Sequence, residues 1–185
     1  MPTQRIIMTK LVSKILFISF STFVVADVHA ERPYNLDIGY SKIYYKQNNG
    51  LTFEPDHIRF SVSQDNFEAI ASVSVDSKTK NFNGQDQKFN VPYILGFFYK
   101  PEFVVGYGIN IYGKLGLTRS SNESKTVSAP YQTITSTANG LAYGVGVNFL
   151  STQWTKLNLE YTSFYNRNGI SVQGLSISNS IQFSY

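Results

Sequence analysis

The chain has 185 residues, of which 15% are aromatic and only 15% charged, with a formal net charge of +4 and no cysteine. That length suits one domain rather than two, and the missing thiols exclude disulfides, thiolate metal sites and a cysteine nucleophile. A charged fraction well under the roughly 25% of an ordinary soluble domain, beside 14 Phe, 13 Tyr and 1 Trp, predicts a surface that does not mainly meet water.

The first thirty residues read as an export signal. Arg5, Lys10 and Lys14 form a positive start, Ile15 to Ala26 is an apolar run without charge, and Val28-His29-Ala30 places cleavage after Ala30. The run is too short for a helix that crosses a bilayer, which needs about 20 apolar residues. Residues 1–30 are therefore expected to be a cleavable signal peptide, and 31–185 the folded domain. The signal holds three of the 16 Lys+Arg and one of the 12 Asp+Glu, leaving 13 against 11, or +2. A nucleic-acid partner, which needs a clustered basic face, loses most of its support on that balance and is not expected.

From Tyr34 onward the pattern has the period of a strand. Tyr34, Leu36, Ile38, Tyr40 and Tyr44 share one parity, and Lys46 to Asp56 follows as a loop. Ile58, Phe60 and Val62 lead to a tight turn at Asp65-Asn66, whose polar side chains tolerate a left-handed backbone. Phe67, Ala69, Ala71, Val73 and Val75 continue the apolar parity to a polar loop over 77–87. Phe89, Val91, Tyr93, Leu95, Phe97 and Tyr99 form the most apolar face, although Pro92 removes a ladder hydrogen bond and predicts either a bulge or a ladder that begins near Tyr93.

After the Lys100-Pro101-Glu102 turn, one strand is expected from Phe103 to Leu117, then a Ser/Thr/Asn-rich loop from Arg119 to Thr137. Leu141 to Phe149, a short turn over 151–153, Leu157 to Tyr161, a loop around Asn166 to Gly169, and Leu175 to Phe183 complete eight strands. Connections alternate long and short, as in an up-and-down barrel with tight turns at one end.

The opposite parity is Gly, Ser, Asn and Thr with few charges. That composition suits the narrow interior of eight strands better than a solvated exterior. Tyr34, Phe67, Tyr99, Phe103, Phe149, Trp154 and Tyr185 fall at the short-turn strand ends, with Tyr44 and Tyr165 at the other, where interfacial aromatics belong. The expected fold is all-β: an eight-stranded antiparallel up-and-down transmembrane β-barrel. The chain closes on Ile181-Gln182-Phe183-Ser184-Tyr185, which resembles the terminal strand that the assembly machinery of bacterial outer-membrane barrels reads.

Charges of both signs share the polar parity: Asp37, Arg59, Glu68, Lys114, Lys156 and Glu160. They could line a narrow pore for small solutes or neutralise one another as a structural lumen network; eight strands favour the second. Catalytic chemistry has little to draw on. His29 and His57 are the only histidines, and general-base work near neutral pH most often uses His. His57 with Asp76-Ser77 imitates the His, Asp and Ser of a lipid A palmitoyltransferase, but the spacing differs. The His-x-Ser pair of a lipid A deacylase is missing from the C-terminal strands. No catalytic, metal or cofactor site is expected.

Three stretches carry a family likeness. Tyr112-Gly113-Lys114-Leu115-Gly116-Leu117, the glycine-alternating Gly140-Leu141-Ala142-Tyr143-Gly144-Val145-Gly146-Val147 and Leu159-Glu160-Tyr161 resemble strands of the small outer-membrane β-barrel family that includes opacity-type and attachment-invasion proteins. With the terminal strand the likeness runs from about Asp37 to Tyr185. It implies a monomeric barrel in the bacterial outer membrane, surrounded by lipopolysaccharide, without catalytic residues and with divergent surface loops. Lys78, Lys80, Lys88, Arg119 and Lys125 in those loops are candidates for contact with lipopolysaccharide or a host molecule, against the alternative of solvated, variable loops with no partner. The expected role is structural or adhesive, with a narrow channel as the alternative and a lipid A-modifying enzyme behind it.

Overall fold

Side chains that alternate between apolar and small polar types give strands whose two faces want different surroundings. A computed structural model describes residues 33–48, 50–82, 84–126, 133–150, 152, 154–167 and 169–183, and places them in strands and turns. The expected signal segment and the terminal Ser184-Tyr185 lie outside the described residues.

Eight strands form a closed ring: β1 (Tyr34–Lys46), β3 (Asp56–Gln64), β4 (Phe67–Ser74), β6 (Gln85–Tyr99), β8 (Ile109–Thr126), β9 (Thr133–Leu150), β10 (Thr155–Arg167) and β11 (Ile170–Phe183). Each pairs antiparallel with the next, and β1 closes on β11 from Tyr34↔Phe183 to Lys46↔Ser171. Closure leaves no strand edge within the ring. Three short strands are added: β2 (Thr52–Phe53) on β1, β5 (Lys78–Phe82) on β6, and β7 (Glu102–Gly106) on β8. The turn between β3 and β4 uses Asp65 at φ 53°, the left-handed backbone expected there.

The apolar parity faces outward. Ile38 (55% exposed), Phe97 (50%), Leu115 (56%), Leu141 (66%) and Leu175 (54%) stand in a belt that hydrocarbon would cover and water would not favour. Ser41, Ser61, Ser176, Ser178 and Ser180 of the other parity are buried in the lumen. The fold is that of a transmembrane barrel, with the β3–β4 and β9–β10 turns and the β7 hairpin at one end and the β1–β3, β4–β6, β8–β9 and β10–β11 connections at the other.

Three irregularities revise the strand reading. At Pro92 the expected bulge is present: Asn90 pairs Glu123 and Tyr93 pairs Ser121, so Val91 and Pro92 face the single Asn122. One extra residue flips the parity, so Phe89 and Val91 are buried inside while Leu95, Phe97 and Tyr99 face out. In β10, Phe164 is the extra residue between Ser163 and Tyr165. Phe164 turns inward and Tyr165 packs beside the inner cluster instead of joining an outer aromatic girdle. The expected strand from Phe103 to Leu117 is a hairpin: β7 folds back on the start of β8 through Tyr107-Gly108, with Gly108 at φ 75°.

The long outer connections also contain more strand than their polarity suggests. β8 and β9 are each 18 residues long, against the roughly 9–11 that cross a membrane. Their pairing continues to Lys125↔Thr133, well into the segment expected as a loop. β6 accompanies β8 to Gln87↔Thr126, and β5 adds to β6 through Lys78↔Phe89 and Phe82↔Gln85. β10 leaves β9 after Ser163↔Tyr143. The result is a four-stranded outer sheet in the order β5-β6-β8-β9.

Candidate functional site

The lumen is filled in two layers. In the lower one, small residues on one strand make room for long ones on the next. A Cβ on Gly146 would come within 2.3 Å of the Tyr112 ring, and one on Gly144 within 3.1 Å of the Lys114 stem. Those glycines let Tyr112 and Lys114 of β8 lie across the interior.

Arg59, Glu68, Lys114 and Glu160 meet there, none more than 4% exposed. Arg59 donates through both terminal nitrogens to Glu160, and reaches Glu68 at 3.2 Å. Lys114 bridges the carboxylates, at 2.5 Å from Glu160 and 3.3 Å from Glu68. Tyr112 and Thr162 donate hydroxyls to Glu160 at 3.1 and 2.6 Å. Buried charges are tolerated in such a place only because each is paired and hydrogen-bonded.

Asp37 and Lys156 also face inward but stand apart from this network. Asp37 is buried and accepts a hydrogen bond from Ser61 at 2.7 Å. Lys156 lies at the mouth of the barrel beside the β7 hairpin, 3.8 Å from Glu102. Two participants were not among the sequence candidates. Lys100, read as a turn residue, points inward, is 5% exposed, and reaches Glu68 at 3.4 Å and the Tyr112 ring at 4.3 Å. Tyr112 shares parity with Lys114, and that spacing was the available signal. Four cations (Arg59, Lys100, Lys114, Lys156) and four anions (Asp37, Glu68, Glu102, Glu160) leave this set neutral.

Above the ions the lumen holds an apolar cluster among small polar side chains such as Ser72, Thr118 and Ser120. Ile43, Ile70, Ile94, Phe98, Phe164 and Val172 are buried with Tyr45, Phe53, Phe89 and Val91 in one cluster. Lys114 marks the boundary, its ammonium 4.3 Å from the centre of the Phe98 ring. The two bulges create this layer by turning Phe89, Val91 and Phe164 inward.

The catalytic imitation does not assemble. His57 is fully buried in the lumen, its Nδ1 3.1 Å from the Ser72 hydroxyl. Asp76 instead accepts the Asp56 backbone N–H at 2.8 Å and pairs with Lys78. Among the described residues, no group of three or more His, Cys, Asp or Glu could hold a metal.

On the outer surface the candidate cations divide. Lys78 is held by Asp76 and by Asp56 at 3.2 Å, which raise its pKa above the ordinary lysine value. Lys80 donates to the Thr52 carbonyl and lies 5.8 Å from the Phe53 ring centre. Lys88 and Lys125 are exposed and sit directly opposite each other on β6 and β8. Arg119 is exposed lower on β8.

No protein-family model matches the sequence, and no curated protein matches it. Solved structures do. The attachment invasion locus protein Ail of Yersinia pestis, in complex with the heparin analogue sucrose octasulfate, matches with TM-score 0.60 and 18% identity, over 83% of this chain and 100% of that one. Neisserial surface protein A matches with TM-score 0.57 and 16% identity, over 81% and 97%. The outer membrane protein OprG from Pseudomonas aeruginosa matches with TM-score 0.58 and 10% identity, over 85% and 98%. The likeness is one of fold, shared with small bacterial outer-membrane barrels.

Proposed function

We propose that this chain is a non-catalytic integral protein of the bacterial outer membrane, a closed barrel that holds a contact surface outside the cell. The observation that carries the reading is the double filling of the lumen. A solute entering from the periplasm meets the Arg59–Glu160–Lys114–Glu68 network and then the close-packed cluster around Phe98 and Phe164. An ion would have to displace paired charges and then shed its water against apolar walls, and both steps are costly. The strand length left after crossing the membrane goes into the outer sheet, where a rigid scaffold can present binding groups.

The partners on this reading are lipopolysaccharide around the belt, the assembly machinery at the terminal strand, and a surface ligand on the outer sheet. The protein acts as a monomer within the membrane, since the transmembrane ring satisfies its own strand edges; β5 and the upper part of β9 remain edges of the outer sheet. Ail crystallised with a heparin analogue, which supports an anionic saccharide as one class of surface ligand.

The test has two arms. Reconstituted protein in a planar bilayer is expected to show no single-channel conductance; steady conductance would overturn the closed-barrel reading in favour of a narrow channel. Cells carrying a variant with the β8–β9 hairpin shortened from 121 to 137 are expected to lose surface binding or serum survival while the barrel still assembles. Unchanged phenotypes would leave a passive envelope role. Lipid A mass spectra with and without the protein are expected to be identical; an acyl difference would show an enzyme.

A further inference from the structure

We infer that Lys88 and Lys125 form an oxyanion-binding site on the outward face of the outer sheet, for phosphate or sulfate groups carried on a glycan. The inference rests on the surface-contact reading above and assigns its ligand chemistry.

The sheet places four residues in one row across its strands: Thr79, Lys88, Lys125 and Thr133, joined by direct pairing on β5, β6, β8 and β9. Phe89, the neighbour of Lys88, is buried against Tyr45 and Phe53. Successive strand residues face opposite ways, so this row points away from the barrel axis. Like charges directly opposite on paired strands are unfavourable. Elsewhere on the outer surface Lys78 pairs with Asp76 and Lys42 with Glu54 at 3.5 Å, while Lys80 donates to the Thr52 carbonyl. Among the described residues neither Lys88 nor Lys125 has a carboxylate within ion-pair distance. Asp86, two residues from Lys88 on the same face, is engaged by the Asn81 amide at 2.9 Å.

Lysines often guard exposed sheet edges against mispairing. That explanation fails here, because β6 and β8 are the central strands. The edge strand β9 carries no charge from Thr133 to Leu141. Two ammoniums one strand apart, with Asp86 and Glu123 on the same face but outside ion-pair distance, and flanked by threonine hydroxyls, match a tetrahedral oxyanion with several acceptor oxygens.

Height separates a glycan from a lipid headgroup. On β8 the belt ends at Leu117, and Arg119 is the first outward charge above it. Lys125 is six residues further, about 20 Å of strand, or roughly 15 Å of height at a barrel-like tilt. The headgroup layer is only about 5–8 Å thick, so the row stands beyond it. Phosphate groups on the saccharide part of the cell's own lipopolysaccharide, or sulfate groups on a foreign glycan, are the two sources at that level.

The test measures binding of full-length mature protein in lipid nanodiscs to two probes: a phosphorylated lipopolysaccharide core oligosaccharide and a sulfated heparin fragment. The variants are Lys88→Gln/Lys125→Gln, Lys88→Arg/Lys125→Arg, and Lys46→Gln as a surface-charge control. Heat-shifted gel migration verifies that each is folded. The double glutamine variant is expected to lose about tenfold in affinity, what two exposed charge pairs of ordinary strength supply. The arginine variant is expected to retain it, and Lys46→Gln to change it by less than about twofold. Loss confined to the phosphorylated probe identifies the cell's own polysaccharide as the source, and loss confined to the sulfated probe a foreign glycan. Wild-type protein that binds neither probe, or a glutamine variant that binds both as wild type does, overturns the site. In that event the hairpin-shortened cells still decide whether the outer sheet makes contacts of another kind.

Discussion

Glu160→Gln tests the lower layer of the lumen most directly. Glu160 accepts hydrogen bonds from Arg59, Lys114, Tyr112 and Thr162. The isosteric amide keeps the volume but brings two donors of its own to face them. The inner cluster then holds Arg59, Lys100 and Lys114 against Glu68 alone, two uncompensated cations instead of one. Breaking a buried ion pair from one side costs about 3–5 kcal/mol. With a urea slope near 2 kcal/mol/M, the unfolding midpoint falls by roughly 1.5–2.5 M. The assay is urea unfolding of protein folded into phospholipid vesicles, followed by the mobility of unheated samples on gels. Arg59→Met/Glu160→Met removes one charge of each sign and is expected to be neutral or stabilising by about 1–4 kcal/mol. A midpoint for Glu160→Gln within about 0.5 M of wild type would refute the reasoning. So would a double-methionine variant as unstable as the single amide.

Further predictions concern packing, the belt and the turns. Gly146→Ala drives a methyl into the Tyr112 ring and is expected to cost about 1–3 kcal/mol; Tyr112→Leu in the same chain should recover part of it, as a double-mutant cycle in urea would show. Leu115→Arg on the belt is expected to cost about 2–4 kcal/mol in vesicles, if its level lies near the membrane midplane. Asn179 is exposed on the same belt, paired with Ile38 and Leu157; Asn179→Leu is expected to raise the urea midpoint, because it removes a polar group from hydrocarbon. Asp65→Val should be about 1–2 kcal/mol less stable than Asp65→Gly, because only the second tolerates the positive φ there.

Much of the architecture was legible before folding because the period of a strand is two and a bilayer rewards one face of it. The parity of Leu36, Ile38 and Tyr40 in β1, of Leu115 and Leu117 in β8, and of Leu175 and Ile177 in β11 decides which side chains meet lipid. Asp65-Asn66 marked its turn, and Pro92 marked its bulge, through local backbone chemistry alone. The inward side of Arg59, Glu68, Lys114 and Glu160 follows from the same alternation.

What alternation cannot carry is anything that depends on the partner strand. A bulge is a mismatch in residue number between two strands, so the reversal of Phe89 and Val91 needed the position of Asn122 on β8. The inward turn of Phe164 likewise needed β11. Polar Thr, Ser and Asn over 119–137 have the composition of a loop. Over 119–126 and 133–137 they pair as strand because β6 and β9 continue beside β8 and satisfy its backbone. Lys100 reads as a solvated turn residue until Glu68 and Tyr112 are brought beneath it. Nothing local separates Lys78, held by Asp56 and Asp76, from Lys88, set against Lys125. Local sequence determined which face each residue presents, since that is a property of one strand; cross-strand register, a property of two, decided what each face meets.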